Sequence, residues 1–157
     1  MQKITTFLTF KDQAEDAAKL YTSLFKNSKI VSTTRYGEGG PGPKGTVMAV
    51  TFQLAGQDFF ALNGGPSFRF AEGISLFVNC ETQAEVDELW EKLSVGGKQG
   101  PCGWLTDRFG VSWQIVPSVL GKYLGDKDAE KAKRVMQAML QMTRLDIKGL
   151  QDAYEGR

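Results

Sequence analysis

The 157-residue sequence contains no histidine. That absence excludes Ser-His-Asp and Cys-His nucleophilic catalysis, because no imidazole is available to take the proton. It also excludes His-ligated zinc and the two-His-one-carboxylate iron site. Cysteine is scarce: Cys80 and Cys102 cannot make a disulfide framework, so a reducing cytoplasm is the expected compartment. An excess of one charge is missing as well. Lys+Arg is 19 and Asp+Glu is 18, a net charge of +1, so no basic field exists to drive nucleic-acid binding. No apolar run approaches the ~20 residues needed to span a bilayer. The opening Met1-Gln2-Lys3-Ile4 passes directly into a polar pattern, so neither a leader nor a membrane anchor is expected. What remains is an ordinary globular composition, 41% hydrophobic and 24% charged.

Hydrophobic periodicity divides this chain into elements. Ile4 to Phe10 reads as a strand, followed by a helix carrying Ala17, Leu20, Tyr21 and Leu24 on one face. Lys29 to Tyr36 reads as a strand, Gly37 to Gly45 as a Gly/Pro loop, and Thr46 to Leu54 with Asp58 to Leu62 as a hairpin. Asn63-Gly64-Gly65-Pro66 breaks the pattern, which then restarts. Ile74 to Val78 is a strand, and Glu81 to Leu93 a helix facing inward through Val86, Leu89, Trp90 and Leu93. Trp104 to Thr106 and Val111 to Val116 form a second hairpin around Asp107-Arg108-Phe109-Gly110. The stretch from Asp126 to Tyr154 is helical, with Asp146 as a cap for a short last helix.

The two halves are related. A shift of 69 carries Ala17, Leu20, Tyr21 and Leu24 onto Val86, Leu89, Trp90 and Leu93, and Thr6 onto Ser75. A shift of 54 carries Gly56 onto Gly110, Phe59 onto Trp113 and Phe60 onto Gln114. The expected architecture is α+β: a βαβββ module over 1–66, a second over 67–120, and a C-terminal helical extension over 121–157. Each module alone would expose one sheet face, so the pair is expected to build a shared concave mixed sheet.

Paired βαβββ modules resemble the vicinal oxygen chelate superfamily, the glyoxalase/bleomycin-resistance fold. The sequence is most similar to its PhnB-like, demethylubiquinone 3-methyltransferase-like branch. Segments 35–45, 60–66, 78–82, 102–105 and 134–142 carry that likeness. The resemblance implies four concave-face positions, which metal-binding members fill with His, Glu or Gln. Carried onto this chain they fall at Thr6, Phe60, Ser75 and Gln114. A hydroxyl, a ring, a hydroxyl and an amide offer a divalent cation neither carboxylate nor imidazole, so no metal and no cofactor is expected. Strand alternation then places Leu8 and Phe10 with Thr6, Asp58 and Leu62 with Phe60, Phe77 and Asn79 with Ser75, and Ser112 with Gln114. This face is either a pocket for a small, partly apolar molecule or a filled core.

Other signals have plainer readings beside functional ones. The Gly37–Gly45 loop lacks the Gly-Lys-Ser/Thr order of a phosphate loop, and Pro41 and Pro43 remove two amide donors, so a surface loop or a lid is expected. Asp58, Glu72 and Cys102 are the weak catalytic candidates; Asp107 and Arg108 also lie near the cleft. Tyr36 and Arg35, at a strand end leading into the loop, are placed to meet a ligand; the alternative is that Tyr36 packs in the core. Met136, Met139 and Met142 mark a helix face for core or interface, and the resemblance implies a homodimer. The branch's methyltransferase label finds no support, because Lys11-Asp12-Gln13 follows the first strand where an S-adenosylmethionine domain has a glycine turn. Relatives with His after the Gly-Gly-Pro turn differ from this chain, which has Ser67. Three functions stay open: metal-independent ligand binding, a small-molecule enzyme using a cleft carboxylate or cysteine, and a structural or regulatory dimer with a filled cleft.

Overall fold

The computed structural model describes residues 2–157; Met1, part of the N-terminal reading above, lies outside them. The chain divides into two compact units, Met1–Arg69 and Phe70–Arg157. The first contains β1 (Thr6–Phe10), α1 (Ala14–Leu24), β2 (Lys29–Arg35), β3 (Val47–Leu54) and β4 (Gln57–Asn63). Its sheet runs β1-β4-β3-β2, with β1 parallel to β4 and the remaining pairs antiparallel. The second contains β5 (Leu76–Cys80), α2 (Gln83–Ser94), β6 (Lys98–Gln99), β7 (Trp104–Thr106), β8 (Ser112–Pro117), and helices α3 (Ser118–Leu124), α4 (Ala129–Leu140) and α5 (Ile147–Glu155). Its sheet, β5-β8-β7-β6, repeats the first order. Each unit is therefore a βαβββ module, and the fold is α+β with two four-stranded mixed sheets. Two short elements escape the periodicity: β6 has only two residues, and α3 begins at Ser118 after Pro117 without a side-chain cap.

In both modules one sheet face is buried under a helix. On β1 the buried side chains are Leu8 and Phe10; on β3 they are Val50, Phe52 and Leu54; on β4 they are Phe59 and Ala61. Ala14, Ala17, Ala18 and Tyr21 of α1 cover them, and small alanines let the helix approach closely. The N-terminus of α1 has no side-chain cap of its own. Asn63 supplies one from β4: its Oδ1 accepts from the Ala14 amide at 2.8 Å while its Nδ2 donates to the Val47 carbonyl at 3.1 Å. In α2 the cap is local, with Thr82 Oγ1 accepting from the Glu85 amide.

The second hairpin is organised by a buried carboxylate. Asp107 is 3% exposed; its Oδ1 accepts from the Phe109 and Val111 amides, and its Oδ2 from Trp113 Nε1 at 2.9 Å. One side chain thus closes the 107–110 turn and anchors the indole beneath α2. Asp107, a candidate for the cleft in the sequence, is engaged in this turn.

The C-terminal helices belong to the second unit. Val116 and Leu120 form one apolar cluster with Val135, Leu145 and Leu150. The 142–147 segment runs against the module: Cys102 and Gly103 donate their amides to the carbonyls of Met142 and Thr143, and Gln83 grips both Leu145 and Ile147 through its amide group. The repeat explains Leu145. By the strand registers, Gly103 occupies the position of Val50, which is fully buried in the first module. A Cβ on Gly103 would stand 2.9 Å from Leu145 Cδ1. Leu145 therefore occupies the place that a side chain at 103 would take. Of the predicted methionine stripe, Met139 and Met142 pack on this cluster while Met136 is 40% exposed.

Two outcomes are expected. Leu145→Ala should destabilise the protein by about 2–5 kcal/mol in urea unfolding, the range for truncating a fully buried leucine; a cost below 1 kcal/mol would mean that the extension is not part of the core. The Tyr154 hydroxyl donates to Asp126 Oδ2 at 2.5 Å, which holds the Asp126 carboxyl below its ordinary value of 3.8. That contribution is present above pH 3.8 and fades as pH falls through the lowered value. The urea-midpoint difference between the native chain and Tyr154→Phe should accordingly shrink as the pH is taken below the carboxylate range.

Candidate functional site

The sheet face turned away from each helix carries the candidate site, and the structure moves three of its eleven predicted members, Thr6, Leu8 and Phe10, to the opposite face. In the first module Leu8 is 7% and Phe10 is 2% exposed; both lie under α1, and Thr6 shares their side of β1. Phe7 and Thr9 take the open face instead. Phe7 sits opposite Phe60 in the parallel register, and the two rings pack at 5.9 Å between centroids. The error has a definite cause. The helices superpose at a shift of 69, but the strands superpose at 70: Phe7 opposite Phe60 corresponds to Phe77 opposite Gln114. The β1–α1 connection is one residue longer than its counterpart, and counting back from the helix slips one residue, which exchanges the faces of a strand.

The rest of the first module's open face stands as expected. Phe60 and Phe7 are 39% and 56% exposed, with half-buried Leu62 beside them. Asp58, at the start of β4, is held structurally: its Oδ1 accepts from Gln53 Nε2 at 2.8 Å, and its amide donates to Gln2 Oε1 at 3.0 Å. At the strand ends the 37–45 loop folds back over Tyr36, whose ring lies so close to Gly42 that a Cβ there would overlap it. The loop borders a cleft of about 1010 Å³ whose lining includes Tyr36, Met48, Leu62, Asn63 and Phe68. Arg35, also at its edge, pairs with Glu15 at 3.4 Å.

In the second module Ser75, Phe77, Asn79, Ser112 and Gln114 share the open face, because the parallel register sets Phe77 beside Gln114 and Asn79 beside Val116. Gln114 Nε2 donates to Ser75 Oγ at 3.0 Å. Phe77 is 53% exposed. Trp104 and Thr106 of β7, opposite Gln114 and Ser112, extend this face. They border a pocket of about 400 Å³ that also includes Glu72 and Lys98. Trp104 and Thr106 were missed as site residues; their antiparallel pairing with the predicted Gln114 and Ser112 was the signal available.

The chemistry of these faces is specific in what it omits. Among the described residues no three His, Cys, Asp or Glu side chains converge. Of the four positions that the resemblance assigns to metal ligands, Thr6 lies on the helix-covered side of β1, Phe60 packs against Phe7, and Ser75 and Gln114 are hydrogen-bonded to each other. These groups do not fit a divalent cation, which needs anionic or imidazole donors. Of the catalytic candidates, Glu72 is exposed and Cys102 is half-buried at a turn with φ 58°. Cys80 is fully buried; burial, with Glu85 adding to it, pushes its thiol up to about 12. A thiol reagent at neutral pH should label at most one cysteine per native chain and two after unfolding; rapid labelling of both in the native state would contradict this burial.

Comparison with known proteins places this architecture. Residues 2–116 match the model of the 3-demethylubiquinone-9 3-methyltransferase family. The PhnB protein from Bacillus cereus, described as a 3-demethylubiquinone-9 3-methyltransferase, is 44% identical; the match covers 74% of this chain and 99% of that one, with a TM-score of 0.68. A protein from Pseudomonas aeruginosa shares the fold at 23% identity, over 72% of this chain and 95% of that one, with a TM-score of 0.59. The fosfomycin resistance protein FosX from Listeria monocytogenes does so at 16% identity, over 80% and 98%, with a TM-score of 0.56. No curated protein matches the sequence.

Proposed function

The chain belongs to the 3-demethylubiquinone-9 3-methyltransferase-like, PhnB-like family of the vicinal oxygen chelate superfamily, and on that premise we propose that it binds a small, partly apolar organic molecule on its open sheet faces without a metal ion. The observation that carries this reading is the exposure of Phe7, Phe60 and Phe77 at 56%, 39% and 53%. Large rings left open to solvent on a sheet face mark a surface that is covered in use. The hydroxyls and amides beside them supply orientation, as in small-molecule sites generally. FosX has been characterised as a complex with Mn(II); the donor chemistry of this chain argues for a different mode, in which aromatic contact replaces ion coordination.

Homodimerisation is part of the same reading and rests on the family resemblance. So is a reducing, cytoplasmic setting, which the two free cysteines favour. No helix among the described residues is long and apolar enough to cross a membrane.

A thermal-shift screen tests the binding. A ligand held only by the native state at ~100 times its dissociation constant adds ~2.7 kcal/mol, a rise of several degrees. Amphipathic aromatic compounds should raise the melting temperature and Mn(II), Zn(II) and Ni(II) should not; Phe60→Glu should remove the organic effect. About one tightly held divalent ion per chain, lost in Gln114→Ala, would overturn the proposal.

A further inference from the structure

The sequence contains three asparagines, Asn27, Asn63 and Asn79, and only Asn63 is followed by glycine. An Asn-Gly step is chemically labile. Glycine carries no side chain to shield its amide nitrogen and lets the backbone turn, so that nitrogen can reach the side-chain carbonyl beside it. Both residues nevertheless have a structural use at the end of β4. The Asn63 amide group works in two directions: Oδ1 accepts from the Ala14 amide at 2.8 Å, and Nδ2 donates to the Val47 carbonyl at 3.1 Å. One planar group thereby joins α1, β3 and β4. An aspartate there could accept but not donate. Gly64 provides space: a Cβ would stand 2.5 Å from Thr9 Cγ2 and 2.9 Å from Phe68 Cδ2.

The contacts that use Asn63 also oppose its reaction. In deamidation the Gly64 nitrogen gives up its proton and bonds to Asn63 Cγ. The Cγ–Nδ2 bond breaks, and the side-chain nitrogen leaves as ammonia. Water then opens the cyclic imide at either carbonyl, leaving aspartate or isoaspartate. Here the Gly64 amide is committed to the Phe10 carbonyl at 2.7 Å, in the β1–β4 register that pairs Phe10 with Asn63. The side-chain amide is held by α1 and β3. Nitrogen and Cγ meet only after these three hydrogen bonds open together at the strand ends.

We propose that Asn63 is a modification site: its deamidation proceeds through local opening of this joint, and the product cannot rebuild the joint. Aspartate sets a second acceptor against the Val47 carbonyl in place of the donor. Isoaspartate adds a backbone atom before Gly64 and takes its amide out of register with Phe10. Asn63 and Gly64 both line the cleft of about 1010 Å³, so the change falls at its rim. Water is the only co-reactant, so the chemistry does not depend on the binding proposed above.

In the test the full chain is incubated at mildly alkaline pH, once native and once in urea. Peptide mapping by mass spectrometry follows the amide-to-acid conversion of each asparagine. In urea Asn63 should convert faster than Asn27 and Asn79. In the native chain its conversion should be slower than in urea by about tenfold or more, because the reaction waits on a minor open population. Converted chains, refolded and separated by ion exchange, should melt below the native protein and exchange the Gly64 amide hydrogen faster. Asn63→Asp, which reproduces one product, should also melt lower; if that variant does not fold, the two conversion rates still decide. Equal rates at Asn63 in the native and unfolded states, earlier conversion of another asparagine in urea, or converted chains as stable as the native protein would each overturn the proposal.

Discussion

A four-stranded sheet covered by one helix can bury only one of its faces. That constraint organises both halves of this protein. Period-two alternation sends Leu8, Phe10, Val50, Phe52, Phe59 and Ala61 beneath α1, and Leu105, Trp113 and Ile115 join the buried side of the second module with α2. The proposed site lies on what the helices leave uncovered. The aromatic rings there are a consequence of two facts together: the alternation that puts them outward, and a sequence that keeps them apolar where solvent alone would favour polar groups.

The two modules repeat a topology without repeating its solutions. The first caps its helix from a neighbouring strand through Asn63, while the second caps it locally through Thr82. The first fills its core at Val50; the second has glycine at the matching position and receives Leu145 from the C-terminal extension. Gln83 and the amides of Cys102 and Gly103 hold that incoming segment by hydrogen bonds. The extension thereby became structural, since removing it would open a void above a glycine that nothing else can fill. Asp107 is another local solution, a buried carboxylate satisfied by two amides and an indole, and its burial serves the turn.

The chemistry of the open faces follows from the same divergence. The open faces here present a ring pair, Phe7 with Phe60, in one module and a Ser75–Gln114 hydrogen bond in the other. The chain has no histidine, and its acidic candidates are either bonded, as Asp58 is, or exposed, as Glu72 is, so among the described residues these faces gather no donor set of the kind a divalent ion needs.

Much of this was determined by the sequence alone. The repeat, the order of the longer strands and helices and the Asp146 cap follow from period-two and period-3.6 patterns, which are local, while the face of Phe60 and Gln114 came from the family resemblance and alternation extended it to Phe77 and Asn79. The face of β1 did not follow. It depends on the length of the β1–α1 connection, and one extra residue there reverses every side chain of the strand without changing its hydrophobic pattern, since Phe7 and Phe10 are equally apolar. The partners of Asp107 and the position of Leu145 over Gly103 were likewise decided by tertiary structure. Each depends on which distant segments meet, and no local periodicity encodes that.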